Sequence, residues 1–198
     1  ATADVQVLNC WIYDSQSSWA IAGNASPAGG KCVPNDRHAI INMLCSKLNI
    51  PPNNSSFYLF GIQNGSSNIL IDRVTHVQTS AGAQLAGTGQ LSGTPCSNIT
   101  FTNTIIPKST YDFAAQGASG FGKPAMDLAW AGGYTFHNNL IQGVQLSRYP
   151  TGNYTTTGEA AVGFVNLGGS DPADFALSPS SPYYTASTLG TPLGCDMA

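Results

Sequence analysis

Residues 98–105 read Asn-Ile-Thr-Phe-Thr-Asn-Thr-Ile, and this short phrase decides the fold. Ile99 and Phe101 are apolar residues at alternate positions, which is the period of a β-strand with one face turned inward. Asn103 follows them, and asparagine tolerates the left-handed backbone angles of a sharp bend. We therefore interpret the phrase as a short strand that bends at Asn103.

The phrase occurs four times in the chain. In each copy two apolar residues at alternate positions precede a polar bend residue, and the bend residues are Asn9, Arg73, Asn103 and Asn138. Their spacings are 64, 30 and 35 residues, and 64 equals two steps of 32. Repeats of this size, with strands too short to bury a face alone, are typical of solenoids. The sequence thus predicts an all-β fold, a single β-solenoid domain over residues 1–198 with about six coils. Its coils would stack Ile69, Ile99 and Tyr134 upon one another.

Two interpretations compete for residues 36–48. One short helix is predicted there by the caps Asn35 and Asp36 and by apolar residues on one face, which are Ala39, Ile40, Met43, Leu44 and Leu48. A hidden copy of the phrase at residues 38–42 fits the missing 32-residue step equally well. The longer periodic run favours the helix. Residues 80–97 and 114–123, rich in Gly, Ala and Ser, are predicted to be wide turns.

Composition excludes several classes of protein. Charged residues make up 9% of the chain and the net charge is −3, too weak to indicate nucleic acid as a partner. The low proportion of Glu, Lys, Arg and Leu excludes a charged helical bundle. No apolar run approaches the ~20 residues of a membrane span, so none is predicted.

Cysteines and glycosylation patterns predict an extracellular or cell-surface protein. The cysteines lack zinc-ligand spacing, so we predict disulfides of unknown pairing and no metal site among Cys10, Cys32, Cys45, Cys96 and Cys195. The acceptor pattern Asn-x-Ser/Thr predicts a glycoprotein and occurs at Asn24, Asn53, Asn54, Asn64, Asn98 and Asn153.

Residues 98–105 and 134–141 resemble the coils of right-handed parallel β-helix proteins. That pectate-lyase-like superfamily includes pectate lyases and many secreted bacterial proteins. A second likeness lies in residues 162–166, 174–183 and 194–196, which resemble the ending of many bacterial β-helix proteins. The resemblance covers residues 69–196 and implies that the terminal Gly-x-Asp closes the last coil. It also implies an alternative function, a polysaccharide lyase or hydrolase.

The lyase hypothesis needs a base and a partner that orients it. The candidates are Asp72, Arg73, His76 and His137, with Arg73 or His137 as base and Asp72 as the orienting group. Coils in register would place Asp72, Thr102 and His137 in one column. The competing interpretation is a solvated polar ladder, which is the commoner situation for such residues. The chain is thus of uncertain enzymatic status, with the non-catalytic interpretation favoured.

A cation site and a sugar platform are the remaining candidate sites. Asp171 and Asp174 form the only close acidic pair, which predicts either a weak calcium site or turn caps, and the Ser-Asp-Pro context favours caps. We expect no other cofactor. Aromatic residues suit sugar rings in a carbohydrate-binding module, and the candidates are Trp11, Tyr13, Trp19, Tyr149, Tyr154, Tyr183 and Tyr184. Trp11 matches apolar positions after the bend and is predicted to be core.

The favoured function is that of a non-catalytic structural or adhesive protein. Low charge removes the repulsion that normally keeps sheet edges apart, and an open solenoid end presents unpaired backbone. We therefore predict a homo-oligomer in which subunits assemble through solenoid ends into a filament or surface layer. The assembly residues would be Val5, Val7 and Asn9, with polysaccharide as a further candidate partner.

Overall fold

The computed structural model describes residues 3–15, 19–22, 36–48, 57–63, 65–78, 83–88, 94–109, 111–115 and 118–197. This part of the chain is mostly β, with two parallel sheets and one short α-helix. The strands in chain order are β1 (Ala3–Tyr13), β2 (Trp19–Ala22), β3 (Asp36–Ser46), β4 (Phe57–Gln63), β5 (Ser67–Val77), β6 (Ala83–Thr88), β7 (Ser97–Thr102), β8 (Ile105–Ile106), β9 (Tyr111–Ala115), β10 (Gly132–His137), β11 (Leu140–Gln142) and β12 (Tyr154–Thr156).

From β1 to β10 the chain passes back and forth between the two sheets, and β10, β11 and β12 all belong to the first sheet. The first sheet has eight strands in the order β1-β3-β5-β8-β11-β12, with β7 pairing both β5 and β10. The second sheet has the order β2-β4-β6-β9. All these pairings are parallel. The first sheet is open, because its path begins at β1 and ends at β12.

Strand register confirms that the repeated phrases are neighbours. Ile69 is paired with Ile99, and Ile99 is paired with Tyr134, on three adjacent strands. The bend residue Arg73 belongs to β5, and Asn103 follows β7. Residues about 30 positions apart in the chain therefore lie at the spacing of adjacent strands, ~4.8 Å.

The prediction of a helix at 36–48 is wrong, because these residues form β3. Arg37, Asn42 and Lys47 all have positive φ, so the strand bends every five residues. Each bend resets the inward and outward alternation of a strand. The inward residues are consequently spaced by three, two and three positions, at Ile40, Met43, Cys45 and Leu48. That spacing imitates the period of an amphipathic helix. The competing prediction of a hidden phrase at 38–42 is the correct one.

The helix lies elsewhere. It is α1 (Lys123–Ala129), which follows Gly122 and has a proline in its first turn. A preference for proline in the first turn accounts for the start of α1 at this point. The wide turn predicted at 80–97 also contains β6, and the one at 114–123 overlaps the end of β9.

The main core lies between the two sheets. Phe101 of the first sheet meets Phe60 of the second edge to face, with ring centroids 5.0 Å apart. Phe113 and Phe136 continue this aromatic stack, and Trp130 after α1 joins it. These rings are buried because short strands of both sheets turn their apolar faces toward one another.

Candidate functional site

Left-handed bends form three columns across the first sheet. Twelve of the described non-glycine residues have φ between 51° and 61°. Successive bends along one strand are five residues apart. The first bend column contains Asp4, Arg37, Asn68 and Asn98. The middle bend column contains Asn9, Asn42, Arg73, Asn103 and Asn138. The last bend column contains Asp14, Lys47 and Gln78. Asparagine is frequent because its side chain tolerates this conformation and bonds locally.

The middle bend column holds the C-terminal segment, residues 157–197, against the outer face of the first sheet. Asn42 Nδ2 donates to the carbonyl of Asp196 at 2.7 Å, and the Asp196 amide donates to Asn42 Oδ1 at 2.6 Å. Asn103 Nδ2 donates to Thr188 Oγ1 at 3.0 Å, and the Thr188 amide donates to Asn103 Oδ1 at 2.9 Å. Asparagine amides therefore substitute for the strand partner that this irregular segment lacks.

An apolar row on the outer face is buried beneath the C-terminal segment. The row runs across adjacent strands through Leu44, Thr75, Ile105 and Leu140, each at most 1% exposed. Trp11 of β1 belongs to the same row. The prediction that Trp11 is core is wrong, since it is 38% exposed. The described part of the C-terminal segment contacts β3 through Asn42, and Trp11 lies one strand beyond, in β1.

Gly194 lies close against the first sheet, where an added Cβ would meet Thr75 and Ile105. Its φ is +79°, and its amide donates to the carbonyl of Asn103 at 2.8 Å. The next amide, of Cys195, donates to Thr75 Oγ1 at 2.9 Å. The resemblance implied that Gly-x-Asp closes the last coil. In the structure, residues 194–196 cross the first sheet from Asn103 to Asn42.

Asp72 and Arg73 lie together, as the lyase hypothesis requires. Arg73 Nε is 3.4 Å from Asp72 Oδ2. The other oxygen, Asp72 Oδ1, accepts from Thr102 Oγ1 at 2.8 Å and from Asn103 Nδ2 at 2.7 Å. The carboxylate is therefore a part of the polar ladder as well as the partner of Arg73.

The two histidines are separated from this pair. Register places Asp72, Thr102 and His137 in one column, as predicted, but Thr102 stands between the other two. His137 Nδ1 instead contacts Asn138 Oδ1 at 2.7 Å. His76 is buried in the core against Phe60, and burial lowers the pKa of its imidazole to about 3. The structure thus leaves His76 on the face opposite to Asp72.

The inward-facing apolar residues of β1 are less buried than their neighbours in β3. Val7 is in register with Ile40, and Ile12 is in register with Cys45. Ile40 and Cys45 are buried, whereas Val7, Ile12 and the third β1 residue of this kind, Val5, are half-buried. β1 is the edge strand of the first sheet. The predicted assembly residues Val5 and Val7 therefore lie where the core meets solvent. The third assembly residue, Asn9, is the member of the middle bend column that belongs to β1, and its Oδ1 accepts a hydrogen bond from Asn42 Nδ2.

β1 also exposes large apolar side chains on its outer face. Leu8 and Tyr13 are each 46% exposed, and Trp11 meets Tyr13 edge to face at 5.2 Å. Lys47 Nζ donates to the Tyr13 hydroxyl at 3.0 Å and lies over its ring. This cluster of Leu8, Trp11 and Tyr13 is hereafter the β1 patch.

Four of the five cysteines lie in the described residues and are free thiols there: Cys10, Cys45, Cys96 and Cys195. Burial raises the pKa of the Cys45 and Cys96 thiols, and that of Cys195 to about 11. Cys32 lies outside the described residues. Disulfide pairing stays a prediction.

Two of the six glycosylation candidates can be located. Asn98 is exposed, and its Nδ2 donates to Asn68 in the first bend column. Asn153 donates from Nδ2 to the carbonyls of Phe136 and Pro150, at 3.1 and 2.9 Å. Glycosylation at either residue would replace these hydrogen bonds. Four candidates lie outside the described residues: Asn24, Asn53, Asn54 and Asn64.

Asp171 and Asp174 cap a turn. Asp174 Oδ2 accepts from the amides of Ser170 and Asp171, each at 3.0 Å, and Asp171 Oδ1 accepts from the amide of Ala173. A carboxylate that already accepts amide donors has less capacity for calcium. Within the described ranges, no group of three His, Cys, Asp or Glu side chains could hold a metal ion.

The aromatic candidates have separate surroundings. Tyr149 is buried and stacks on Phe136. The Tyr154 and Tyr183 hydroxyls donate to backbone carbonyls, of Ala186 and Thr155 respectively. Tyr184 is 36% exposed and lines a groove of about 380 Å³ between the C-terminal segment and Arg73. The sequence contained no signal for this groove, because Arg73 is 103 or more residues away in the chain from the other residues that line it. The Trp19 side chain lies outside the described residues.

Comparison with protein-family models, curated proteins and solved structures finds no match for this chain. Among the helices of the described residues, none combines the length and apolar character that crossing a membrane requires.

Proposed function

We propose that this protein is a non-catalytic structural or adhesive subunit, a right-handed β-solenoid that associates through its open end at β1. The observation that carries the proposal is the loss of burial along the interior rows. Ile40 is 2% exposed, whereas Val7, its neighbour in β1, is half-buried. A half-buried apolar residue beside a fully buried neighbour leaves apolar surface that a second chain, pairing with β1, would cover.

The solenoid architecture is supported by the alternation of the chain between two parallel sheets. Bends recur at five-residue intervals in the first sheet, and β1, β3, β5 and β8 are each followed along the chain by a strand of the second sheet. Such stacking leaves one unpaired strand edge at each end. β1 presents such an edge over eleven residues.

The opposite end is covered by the chain itself. Tyr149 packs on Phe136 of β10, and the amide of Asn138 donates to the carbonyl of Gly152 at 2.6 Å. Association through β1 alone therefore joins two chains, and a filament would need a second contact. Extracellular location is part of the proposal and rests on the glycosylation patterns and the cysteines.

The exposed apolar side chains of the β1 patch also support association through β1. Removing the exposed parts of Leu8, Trp11 and Tyr13 from water contributes roughly 1 kcal/mol for each side chain. A non-catalytic role is supported by the use of Asp72 in the polar ladder and by the burial of His76.

Light scattering of the purified chain over a wide range of concentrations tests the proposal. We expect the mass to rise from 20.6 kDa toward twice that value. Leu8→Lys places a charge on the edge strand and should weaken association at least tenfold, about 1.4 kcal/mol. The matched control is Leu189→Lys, because Leu189 is 78% exposed on the C-terminal segment. A constant mass of one chain, or equal weakening by both variants, would refute the proposal.

A further inference from the structure

Arg73 is the one member of the middle bend column that is not an asparagine. Asn42 and Asn103 hold the backbone of the C-terminal segment, and Asn138 donates to the carbonyl of Ala186 at 2.8 Å. Arg73 stands between Asn42 and Asn103 in the column. A groove of about 380 Å³ lies there, lined by Arg73 and by residues of the C-terminal segment. That volume lies within the range of small-ligand sites, ~300–1,000 Å³.

The arginine is held by protein groups on one side only. Its φ of +53° and its ion pair with Asp72 fix the start of the side chain. Its Nε is buried and has no hydrogen-bond partner among the described residues. The side chain is 36% exposed and lines the groove. The other members of the middle bend column are asparagines, so the arginine departs from the pattern of the column. Such departures are typical of functional sites.

The rest of the groove combines a carboxylate with apolar surface. Asp196 lines it together with the ring of Tyr184, and the other apolar walls are Ala176, Leu177 and Pro192. Arg73 contributes one positive charge, and Asp72 and Asp196 contribute two negative charges, so the formal sum is −1. A polyanion is therefore disfavoured. A ligand with groups that both accept from a guanidinium and donate to a carboxylate is favoured.

We propose that this groove binds a neutral saccharide unit. A sugar hydroxyl accepts from Arg73 and donates to Asp196, because a hydroxyl is both donor and acceptor. The apolar C–H face of the ring packs against Tyr184 and Pro192, as expected of a site with apolar walls and few polar groups. This inference is independent of association through β1 and adds a binding activity to it.

Two variants remove the groove contacts without disturbing the fold. Arg73→Asn places at the bend the residue that the column uses at Asn42 and Asn103. Tyr184→Ala removes a half-exposed ring. The matched controls are Arg37→Asn, at a bend of the first column, and Phe121→Ala, at an aromatic ring that is 39% exposed and belongs neither to the groove nor to the β1 patch.

Saturation-transfer NMR on the whole chain tests the site with cellotriose, xylotriose, mannotriose and trigalacturonate as probes. We expect transfer to at least one neutral trisaccharide and at least a tenfold loss of affinity in both groove variants, with the controls unchanged. Transfer to trigalacturonate alone, to none of the probes, or equally in wild type and both groove variants would overturn the proposal.

Discussion

Replacing Gly194 with alanine tests how the C-terminal segment is held on the first sheet. Gly194 has φ +79°, which an alanine adopts at a cost of about 1 kcal/mol. A Cβ at this position would overlap Thr75 Oγ1 and lie 2.9 Å from Ile105 Cδ1. Both neighbours are buried, so the segment must lift away from the sheet.

The magnitude follows from three contributions. The strained φ costs about 1 kcal/mol, overpacking against Ile105 about 1 kcal/mol, and loss of the 2.9 Å hydrogen bond from Cys195 to Thr75 about 1 kcal/mol. We therefore expect Gly194→Ala to lower the free energy of unfolding by about 3 kcal/mol. Urea denaturation followed by circular dichroism measures this change.

Gly190 supplies the matched control. Its φ is +71°, but a Cβ there would meet nothing within 4 Å. Gly190→Ala should thus cost only the strain of the backbone, about 1 kcal/mol. Hydrogen exchange should also show faster exchange of the Cys195 amide in Gly194→Ala alone. Equal destabilisation by the two variants would refute the reasoning, because the close approach to Thr75 would then carry no energy.

Three further outcomes are expected. The pKa of His76 is lowered by burial to about 3, so the unfolded chain binds more protons below pH 6.5, and stability should fall by about 2 kcal/mol from pH 7 to pH 5. His76→Phe should flatten this profile in urea titrations, and an unchanged slope would contradict the assignment. Asn103→Ala removes the hydrogen bonds to Asp72 and Thr188 and should lower the free energy of unfolding by about 3 kcal/mol. The control Asn166→Ala, on the surface, should lower it by less than about 1 kcal/mol. Equal losses in the two variants would contradict the role of Asn103 in holding the C-terminal segment. Polygalacturonate with calcium should yield no unsaturated product, and a product that vanishes in Arg73→Ala would establish lyase activity instead.

The repeated phrase was a reliable guide to the first sheet. Ile69, Ile99 and Tyr134 could be aligned from the sequence, because side chains that stack across parallel strands must be similar at each repeat. The same alignment placed Asp72, Thr102 and His137 in one column. Both alignments agree with the observed register.

Periodicity misled at residues 36–48 because it assumes a regular backbone. A bend every five residues gives inward positions such as Ile40, Met43 and Cys45, whose spacing lies between those of a strand and a helix. A search for Asn, Asp, Arg, Lys or Gln at five-residue intervals would have found β3. The prediction that Trp11 is buried was wrong for a different reason, because its burial depends on whether the C-terminal segment lies over it.

The sequence by itself determined which residues stack, since the bends and the apolar pairs recur along the chain and local chemistry sets both. Only the tertiary structure decided what covers the sheet. The C-terminal segment lies over β3, β5, β8 and β11, and it forms the groove together with Arg73. These features depend on contacts between residues 85 to 154 positions apart, and no local pattern records such contacts.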